Sequence, residues 1–248
     1  MPPFPAPGRW GARDDGGVNP DELTHRVQVL RRQGRSPKQI ARALGLPPAK
    51  VAPIIRAIAA QDQAAAAEPG IAGCWVSPGW SEGLAVTGHP GWPGIGISSP
   101  GASGLVTVLV ARDDPGGKVS ACGWLADVYC LGVKDTLGPR LIDRSALPRL
   151  TRGFFSAYHD QPLKAPLELA RHLVFGAVDY ARSLGFEPVP GFGETTSHLG
   201  PWHGPSAIAF GREGKPLFIQ GPSDNADRIM KTLERTIGRD NFHFLIQA

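Results

Sequence analysis

A twenty-residue segment, PKQIARALGLPPAKVAPIIR, places the strongest limit on how this chain can fold. Counted from its first residue, a small side chain stands at the fifth position, a glycine at the ninth, and β-branched residues at the fifteenth and eighteenth: Ala41, Gly45, Val51 and Ile54. One helix can cross another closely only over a small side chain, and glycine supplies the positive φ that a sharp turn needs. The spacing therefore predicts two packed helices joined by a tight turn.

The residues around this segment predict a third helix and the ends of all three. Residues 19–22 (NPDE) have the arrangement of a reciprocal helix cap, with proline at the first helical position. Residues 36–39 (SPKQ) repeat the device for the second helix, which we expect to end at Leu44. The third helix is expected to begin at Pro48 and to end near Ala60. The first quarter of the chain should thus form a compact three-helix unit.

Three helices with this turn are typical of a helix-turn-helix, which places its second helix of the pair in the major groove of DNA. Residues 1–67 hold 10 Lys/Arg and 5 Asp/Glu, a net charge of +5, whereas the remainder holds 16 and 17, a net charge of −1. This concentration of positive charge favours double-stranded DNA as a partner. The candidate DNA-binding residues are Lys38, Arg42, Ala49, Lys50, Ala52, Pro53 and Arg56.

The helix expected in the groove has weak chemistry for reading bases. Specific contacts normally use Arg, Asn or Gln in bidentate pairs with base edges, whereas this helix offers mainly Ala and Pro. Only Lys50 and Arg56 could make strong contacts to bases or phosphates, and Pro53 predicts a kink or an irregular first turn. Two alternatives therefore stay open: contact with the DNA backbone alone, or binding to another protein.

Composition divides the chain into four parts. Residues 1–18 are rich in proline and glycine, which predicts a disordered tail. Residues 19–60 are expected to form the helix-turn-helix domain, and residues 61–73 a linker interrupted by Pro69-Gly70. The remaining residues, 74–248, are numerous enough for a second domain with a full hydrophobic core.

The sequence also indicates a compartment. Its longest apolar runs, such as residues 105–111, fall short of the roughly 20 residues that a bilayer requires, and its first residues lack the apolar core of a signal peptide. The three cysteines, Cys74, Cys122 and Cys130, form no CxxC pair. We therefore expect a cytoplasmic protein with buried free thiols, no membrane partner, no metal and no cofactor.

The pattern of the second domain predicts an α+β fold. Irregular structure packed by three tryptophans is expected up to Gly104, followed by a hairpin of GLVTVLVAR and KVSACGWLADVYCL around a DDPGG turn. Helices are expected at about 145–159 and 165–184, and a second hairpin should pair 207–211 with 216–220. A helix capped at Asp224-Asn225 and a strand FHFLI follow. Antiparallel pairs with segregated helices are typical of α+β domains.

One segment of this domain concentrates reactive side chains. DVYCLGVKD holds Asp127, Tyr129, Cys130, Lys134 and Asp135 at the end of a strand that should be buried. A buried carboxylate must be paired or protonated, so we expect Asp127 to pair with Lys134. In a catalytic or ligand site, Asp127 would act as a base or orienting group while Lys134 holds an anion. The alternative is a structural ion pair that fixes the loop.

Histidines give a weaker indication. Glu194, His198 and His203 could in principle hold a metal, but their spacing in a Gly/Pro-rich loop specifies no geometry, so we expect loop surface there. Three others stand singly and are expected to be ordinary, partly buried side chains: His159, His172 and His243. No GxSxG, phosphate-binding Gly-rich loop or HExxH occurs, so hydrolases, nucleoside triphosphatases and zinc proteases lack support from motifs.

Two resemblances add to these patterns. IARALGLPPAKVAPII resembles helix-turn-helix DNA-binding domains in general. The second domain looks like the C-terminal region of uncharacterised, actinobacterial-type helix-turn-helix proteins across most of residues 74–248, through GLVTVLVAR, DVYCLGVKD, ARSLGFEP, FGREGKPLFIQGP and GRDNFHF. The resemblance implies an architecture and no substrate.

Two classes of function stay open. In the first, the protein is a DNA-binding transcriptional regulator whose second domain senses a small ligand or forms a homodimer, because one helix-turn-helix rarely holds an operator tightly alone. In the second, an enzyme or ligand-binding module is centred on Asp127 and Lys134, and the helical unit targets it to nucleic acid or to a protein. Convergence of those side chains on an open pocket would favour the second class.

Overall fold

The chain has a mixed α+β fold that divides into two compact units, Met1–Glu68 and Pro69–Ala248. The computed structural model describes residues 20–99 and 104–246, and the side chains of all of these except 20, 21 and 60–67. The expected tail of residues 1–18 and the cap at Asn19 lie outside the described residues. No helix within those ranges combines the length and the apolarity needed to cross a membrane.

From residue 20 onward, the first unit contains three helices: α1 (Pro20–Arg32), α2 (Pro37–Leu44) and α3 (Pro48–Ala67). The predicted cap of α2 is confirmed, because Ser36 Oγ accepts the Gln39 N–H and Gln39 Oε1 accepts the Ser36 N–H at 2.8 Å. Gly45 ends α2 with a φ of 65°, the left-handed conformation that the sharp turn requires. α3 is longer than predicted and runs unbroken through Pro53.

The core of this unit includes two of the positions that the spacing singled out, and a third, Ile54, packs against it partly buried. Ala41 and Val51 are 2% and 1% exposed, and they lie in one buried cluster with Val27, Ile40 and Ile58. Full burial of a valine or isoleucine side chain stabilises a fold by roughly 1.5–3 kcal/mol. The packing of α2 and α3 therefore follows directly from the sequence pattern.

The second unit is built on a five-stranded antiparallel sheet. Its strands are β1 (Ile71–Val76), β3 (Leu105–Asp114), β4 (Lys118–Asp127), β5 (Gly132–Asp143) and β6 (Leu163–Lys164). Their order across the sheet is β5-β4-β3-β1-β6. The predicted hairpin of β3 and β4 is confirmed, although β4 ends at Asp127, earlier than expected. β1 occupies part of the expected linker 61–73, and the end of α3 occupies most of the rest.

Helices lie on both faces of this sheet. On one face, α5 (Leu167–Ser183) buries Leu169, Leu173 and Ala177 against the apolar side chains of β3 and β4, as its periodicity predicts. On the other face, α4 (Leu147–Phe154) follows one turn of 3₁₀ helix and covers Ala111, Val119 and Ala121. A Cβ at Gly123 would overlap the ring of Phe154, so glycine lets that ring lie directly against the sheet. α4 is shorter than the helix expected at 145–159.

The irregular segment that follows β1 is packed as predicted. Trp80 and Trp92 are 1% and 6% exposed and join the core under α5. Trp80 Nε1 donates to the Pro93 carbonyl at 2.7 Å, which satisfies the one polar atom of a buried indole. A short strand in this segment, β2 (Ala85–Val86), pairs with β7 (Ile208–Ala209).

The predicted hairpin of 207–211 with 216–220 is wrong. Apart from a single bridge between Arg212 and Lys215, these segments pair elsewhere: β7 with β2, and β8 (Leu217–Ile219) in parallel with β9 (His243–Leu245). The backbone N–H groups of Gly211 and Leu217 instead donate to carbonyls of the loop after β4.

Two further helices complete this unit. The short α6 (Phe192–Thr195) is connected to the sheet, because Trp124 Nε1 donates to Thr195 Oγ1 at 2.8 Å. The last helix, α7 (Ala226–Ile237), is confirmed with its cap, in which Asn225 Oδ1 accepts the Arg228 N–H at 3.0 Å.

Candidate functional site

The residues predicted to meet DNA lie on the surfaces of α2 and α3. All seven are exposed: Lys38, Arg42, Ala49, Lys50, Ala52, Pro53 and Arg56. Lys38 and Arg42 are one turn apart on α2, whereas the others lie on the first three turns of α3. Of the five candidate positions on α3, three are small and apolar and two are basic. Such a surface can touch a thymine methyl group or a phosphate but offers few donors to base edges.

Further arginines surround these helices. Arg32 and Arg35 are exposed at the end of α1 and in the turn that follows it. Arg31 Nη1 donates to the Ile55 carbonyl at 3.2 Å and thereby connects α1 to α3. The three-helix unit therefore combines a rigid core with exposed cations on every helix that the structure describes there.

Asp127 in the DVYCLGVKD segment is buried, as predicted, but its partners differ from those expected. Its Oδ1 accepts the backbone N–H groups of Tyr129 at 2.9 Å and Cys130 at 3.0 Å, so the carboxyl caps the turn after β4. Burial raises the pKa of Asp127 from 3.8 to about 6, against the opposing effects of these N–H groups and of the Lys134 charge. This carboxyl is a turn-forming group whose negative charge is destabilised by burial.

The expected ion pair of Asp127 with Lys134 is wrong. Lys134 Nζ lies 2.6 Å from Asp224 Oδ2, and the same oxygen accepts the Gly221 N–H at 2.8 Å. Asp224 precedes α7 and is 90 residues away in sequence from Lys134. The DVYCLGVKD segment therefore contains Lys134 but not Asp224, so its residues alone could not predict this ion pair.

The other members of that segment form a structural junction. Tyr129 Oη donates to the Glu82 carbonyl at 2.7 Å, and burial raises the pKa of its phenol. Cys130 is fully buried, and burial raises the pKa of its thiol well above its usual range, which keeps it unreactive. The carbonyls of Val128 and Tyr129 accept the N–H groups of Gly211 and Leu217. These contacts hold separate segments together and do not assemble a reactive group.

Asp135 differs from its neighbours because it lines a cavity. We call this space the α4 cavity; it lies between the sheet and the residues at the end of α4, and its volume is about 480 Å³. Its lining is Leu105, Thr107, Gly123, Leu125, Asp135, Thr136, Leu137, Phe154, Ala157 and Tyr158. The five candidate side chains of the DVYCLGVKD segment thus do not converge on one pocket, which removes the geometric support for an enzyme centred on Asp127 and Lys134.

His198 is buried, contrary to the expectation of a surface loop. Its Nε2 lies 2.9 Å from Ser120 Oγ, and burial lowers the pKa of its ring. His203 is exposed, and the structure does not bring it together with Glu194 and His198 as ligands among the described residues. His159 and His243 are also exposed.

A different trio meets the distance requirement for a metal site: the ligand atoms of His89, Glu168 and His172 lie within 4.8 Å of one another. The donor set does not fit, because His172 Nδ1 accepts the Ala207 N–H at 2.8 Å. A neutral ring that accepts at Nδ1 carries its proton on Nε2, which therefore has no lone pair for a cation. The spacing of Glu168 and His172, one helical turn apart on α5, is the feature of the sequence that could have indicated this group.

Comparisons with known proteins identify no relative. No protein-family model matches the chain, and neither curated proteins nor solved structures match it. Function is therefore inferred from the chain's own residues.

Proposed function

We propose that the protein binds double-stranded DNA through α2 and α3 and acts as a transcriptional regulator. The observation that carries the proposal is the charge of the three-helix unit. Between Leu23 and Gln61 the sequence contains eight Lys/Arg and no Asp/Glu. A stretch of this length without one acidic residue forms a field that attracts phosphates and repels basic proteins.

The geometry of α2 and α3 supports the same proposal. The turn at Gly45, the small Ala41 and the buried Val51 fix the two helices against each other. That packing leaves Lys50 and Arg56 exposed on α3 and Lys38 and Arg42 exposed on α2. In the docking mode of helix-turn-helix proteins, α3 enters the major groove while α2 contacts the backbone.

The chemistry of α3 indicates binding dominated by phosphates. Ala49, Ala52 and Pro53 supply no donor or acceptor from their side chains, so discrimination between bases would depend on Lys50, Arg56 and the shape of the DNA. One such unit binds weakly, so a second copy is needed for a tight complex. Ligand sensing or dimerisation by the second unit would then control DNA binding.

The test measures binding of the full-length protein to a pool of genomic DNA fragments at about 50–200 mM salt. Over this range, a protein with about 6–10 phosphate contacts loses roughly 10³–10⁵ in affinity. We expect Lys50→Ala and Arg56→Ala each to weaken binding and to reduce the slope of log affinity against log salt by about 1. Lys231→Ala, an exposed lysine on α7, is the matched control.

Sequencing of the retained fragments separates two modes of binding. Enrichment of a shared site that Arg56→Ala abolishes would establish sequence-specific regulation, whereas retention without enrichment would establish backbone binding. An affinity that does not change with salt, or equal losses in Lys231→Ala and Arg56→Ala, would contradict docking through α3.

A further inference from the structure

The α4 cavity is a part of the second unit with the size and lining of a small-molecule site. α4 covers only one end of its face of the sheet, so Leu105 remains 37% exposed and Leu125 and Leu137 are half-buried. Phe154, Ala157 and Tyr158 form the facing wall. A volume of about 480 Å³ falls within the range of roughly 300–1,000 Å³ that is typical of ligand pockets.

The polar atoms of this cavity are arranged to accept hydrogen bonds. Among the described residues that line it, Asp135 is the one with a charged side chain; it is exposed, and its Oδ1 accepts the Thr136 N–H at 2.8 Å. Tyr158 Oη lies 2.8 Å from Thr107 Oγ1, in a hydrogen bond that either hydroxyl can donate, and 3.3 Å from the Leu105 carbonyl, which accepts. The Asp135 carboxylate and both hydroxyl oxygens keep lone pairs that can accept hydrogen bonds from a ligand.

An apolar cavity that contains one carboxylate selects for a cation. Leucine and aromatic side chains provide the surface for a hydrocarbon or aromatic body, and the rings of Phe154 and Tyr158 also favour a positive charge near their faces. A neighbouring space on the other side of Phe154 has the opposite character, because Arg140 and Arg149 line it. An acidic ligand would go there, whereas the α4 cavity would reject it.

We propose that the α4 cavity binds a small apolar amine, with its ammonium group on Asp135 and its body against Leu125, Phe154 and Tyr158. The ammonium supplies donors to the carboxylate, which can only accept. This binding does not depend on DNA, so it can be tested without it.

The test compares three probes of similar shape by calorimetry and ligand-observed NMR: tryptamine, tryptophol and indole-3-propionate. We expect the full-length protein to bind tryptamine about threefold more tightly than tryptophol, since a charge-assisted hydrogen bond is stronger than a neutral one but Asp135 is exposed to solvent. Indole-3-propionate should bind more weakly than either. Failure to bind tryptamine at millimolar concentration, or stronger binding of the acid, would overturn the proposal.

Two variants and one control locate the site. Asp135→Asn should still bind both probes, but with about equal affinity for tryptamine and tryptophol, because the change removes the charge of the side chain and keeps its shape. Ala157→Phe, at an exposed position outside α4, should abolish binding of both by filling the cavity. Asp240→Asn, at an exposed carboxylate, should change neither. A tryptamine preference that survives in Asp135→Asn would show that the amine binds elsewhere.

Discussion

Replacement of Asp127 by asparagine should make the protein more stable at neutral pH and have little effect in acid. The side-chain carbonyl of the introduced asparagine can still accept the N–H groups of Tyr129 and Cys130, so the turn after β4 is kept. What the change removes is the carboxylate charge, which is buried at 5% exposure. The pH-dependent part of the difference between variant and parent therefore reports the effect of that charge, whereas the exchange of one oxygen for an NH2 group beside the Leu131 N–H adds a part that does not change with pH.

The magnitude follows from the pKa of the buried carboxyl. A rise from 3.8 to about 6 corresponds, at about 1.36 kcal/mol per pH unit, to a penalty of about 3 kcal/mol for ionised Asp127 in the folded protein. The pKa of Asp127 is higher in the folded protein than in the unfolded chain. The protein therefore has its full free energy of unfolding below the unfolded pKa and loses part of it as pH increases through the folded pKa. The stability of the parent should therefore fall between about pH 4 and pH 6, and that of Asp127→Asn should not.

The assay is urea unfolding at half-unit pH steps from about 4 to 8, followed by tryptophan fluorescence. Five of the six tryptophans belong to the unit Pro69–Ala248, so the signal reports mainly on the unit that contains Asp127. Asp240→Asn, at an exposed carboxylate, is the control. Asp127→Ala should destabilise at every pH, since it removes the acceptor of the Tyr129, Cys130 and Leu131 N–H groups, and a buried N–H group without an acceptor costs about 1–3 kcal/mol.

A constant difference between Asp127→Asn and the parent across this pH range would refute the reasoning. It would mean that the backbone N–H groups stabilise the carboxylate enough to cancel the effect of burial. A loss of stability in Asp127→Asn that grows with pH would show that the carboxylate charge is favourable in the folded protein.

Two further predictions concern packing and a second titration. Ala41→Leu should lower the unfolding free energy of the three-helix unit by about 1–3 kcal/mol, measured by chemical denaturation followed by circular dichroism. Ala43→Leu, at an exposed position on the same helix, should not lower it. Equal effects of the two changes would contradict the close crossing at Ala41. Burial and the neighbouring His89 lower the pKa of His172, so its contribution to stability should be complete above about pH 6.5 and decline as pH falls below it. An NMR titration of the imidazole that shows a midpoint above that of an unfolded peptide would contradict this direction.

Sequence reasoning succeeded where the signals are local. The cap at Ser36, the turn at Gly45 and the periodicity of α5 are each determined by residues within one or two helical turns, and all three are present in the structure. The hairpin of β3 and β4 is also local, because a short turn fixes its register. These elements give the α+β fold class and the positions of the exposed cations on α2 and α3.

Sequence reasoning failed where partners are distant in the chain. Lys134 pairs with Asp224, and the strands β7 and β8 pair with β2 and β9. No local sequence pattern distinguishes these partners from the nearer ones, Asp127 for Lys134 and each other for β7 and β8. The α4 cavity was missed for a related reason. It exists because α4 stops at Phe154 and leaves part of the sheet uncovered, and only the three-dimensional arrangement shows where that end lies.

The junction after β4 has a consequence for how the second unit opens. The backbone N–H of Val128 donates to the Gly104 carbonyl, and the phenol of Tyr129 donates to the Glu82 carbonyl. The carbonyls of Val128 and Tyr129 accept the N–H groups of Gly211 and Leu217. Several segments that are far apart in sequence thus depend on one turn. Because each segment is bonded to this same turn, opening of the turn should release them together, and the amide hydrogens of Val128, Gly211 and Leu217 should exchange with similar protection factors. Loops that would ordinarily fluctuate one by one are thereby joined into a single cooperative block.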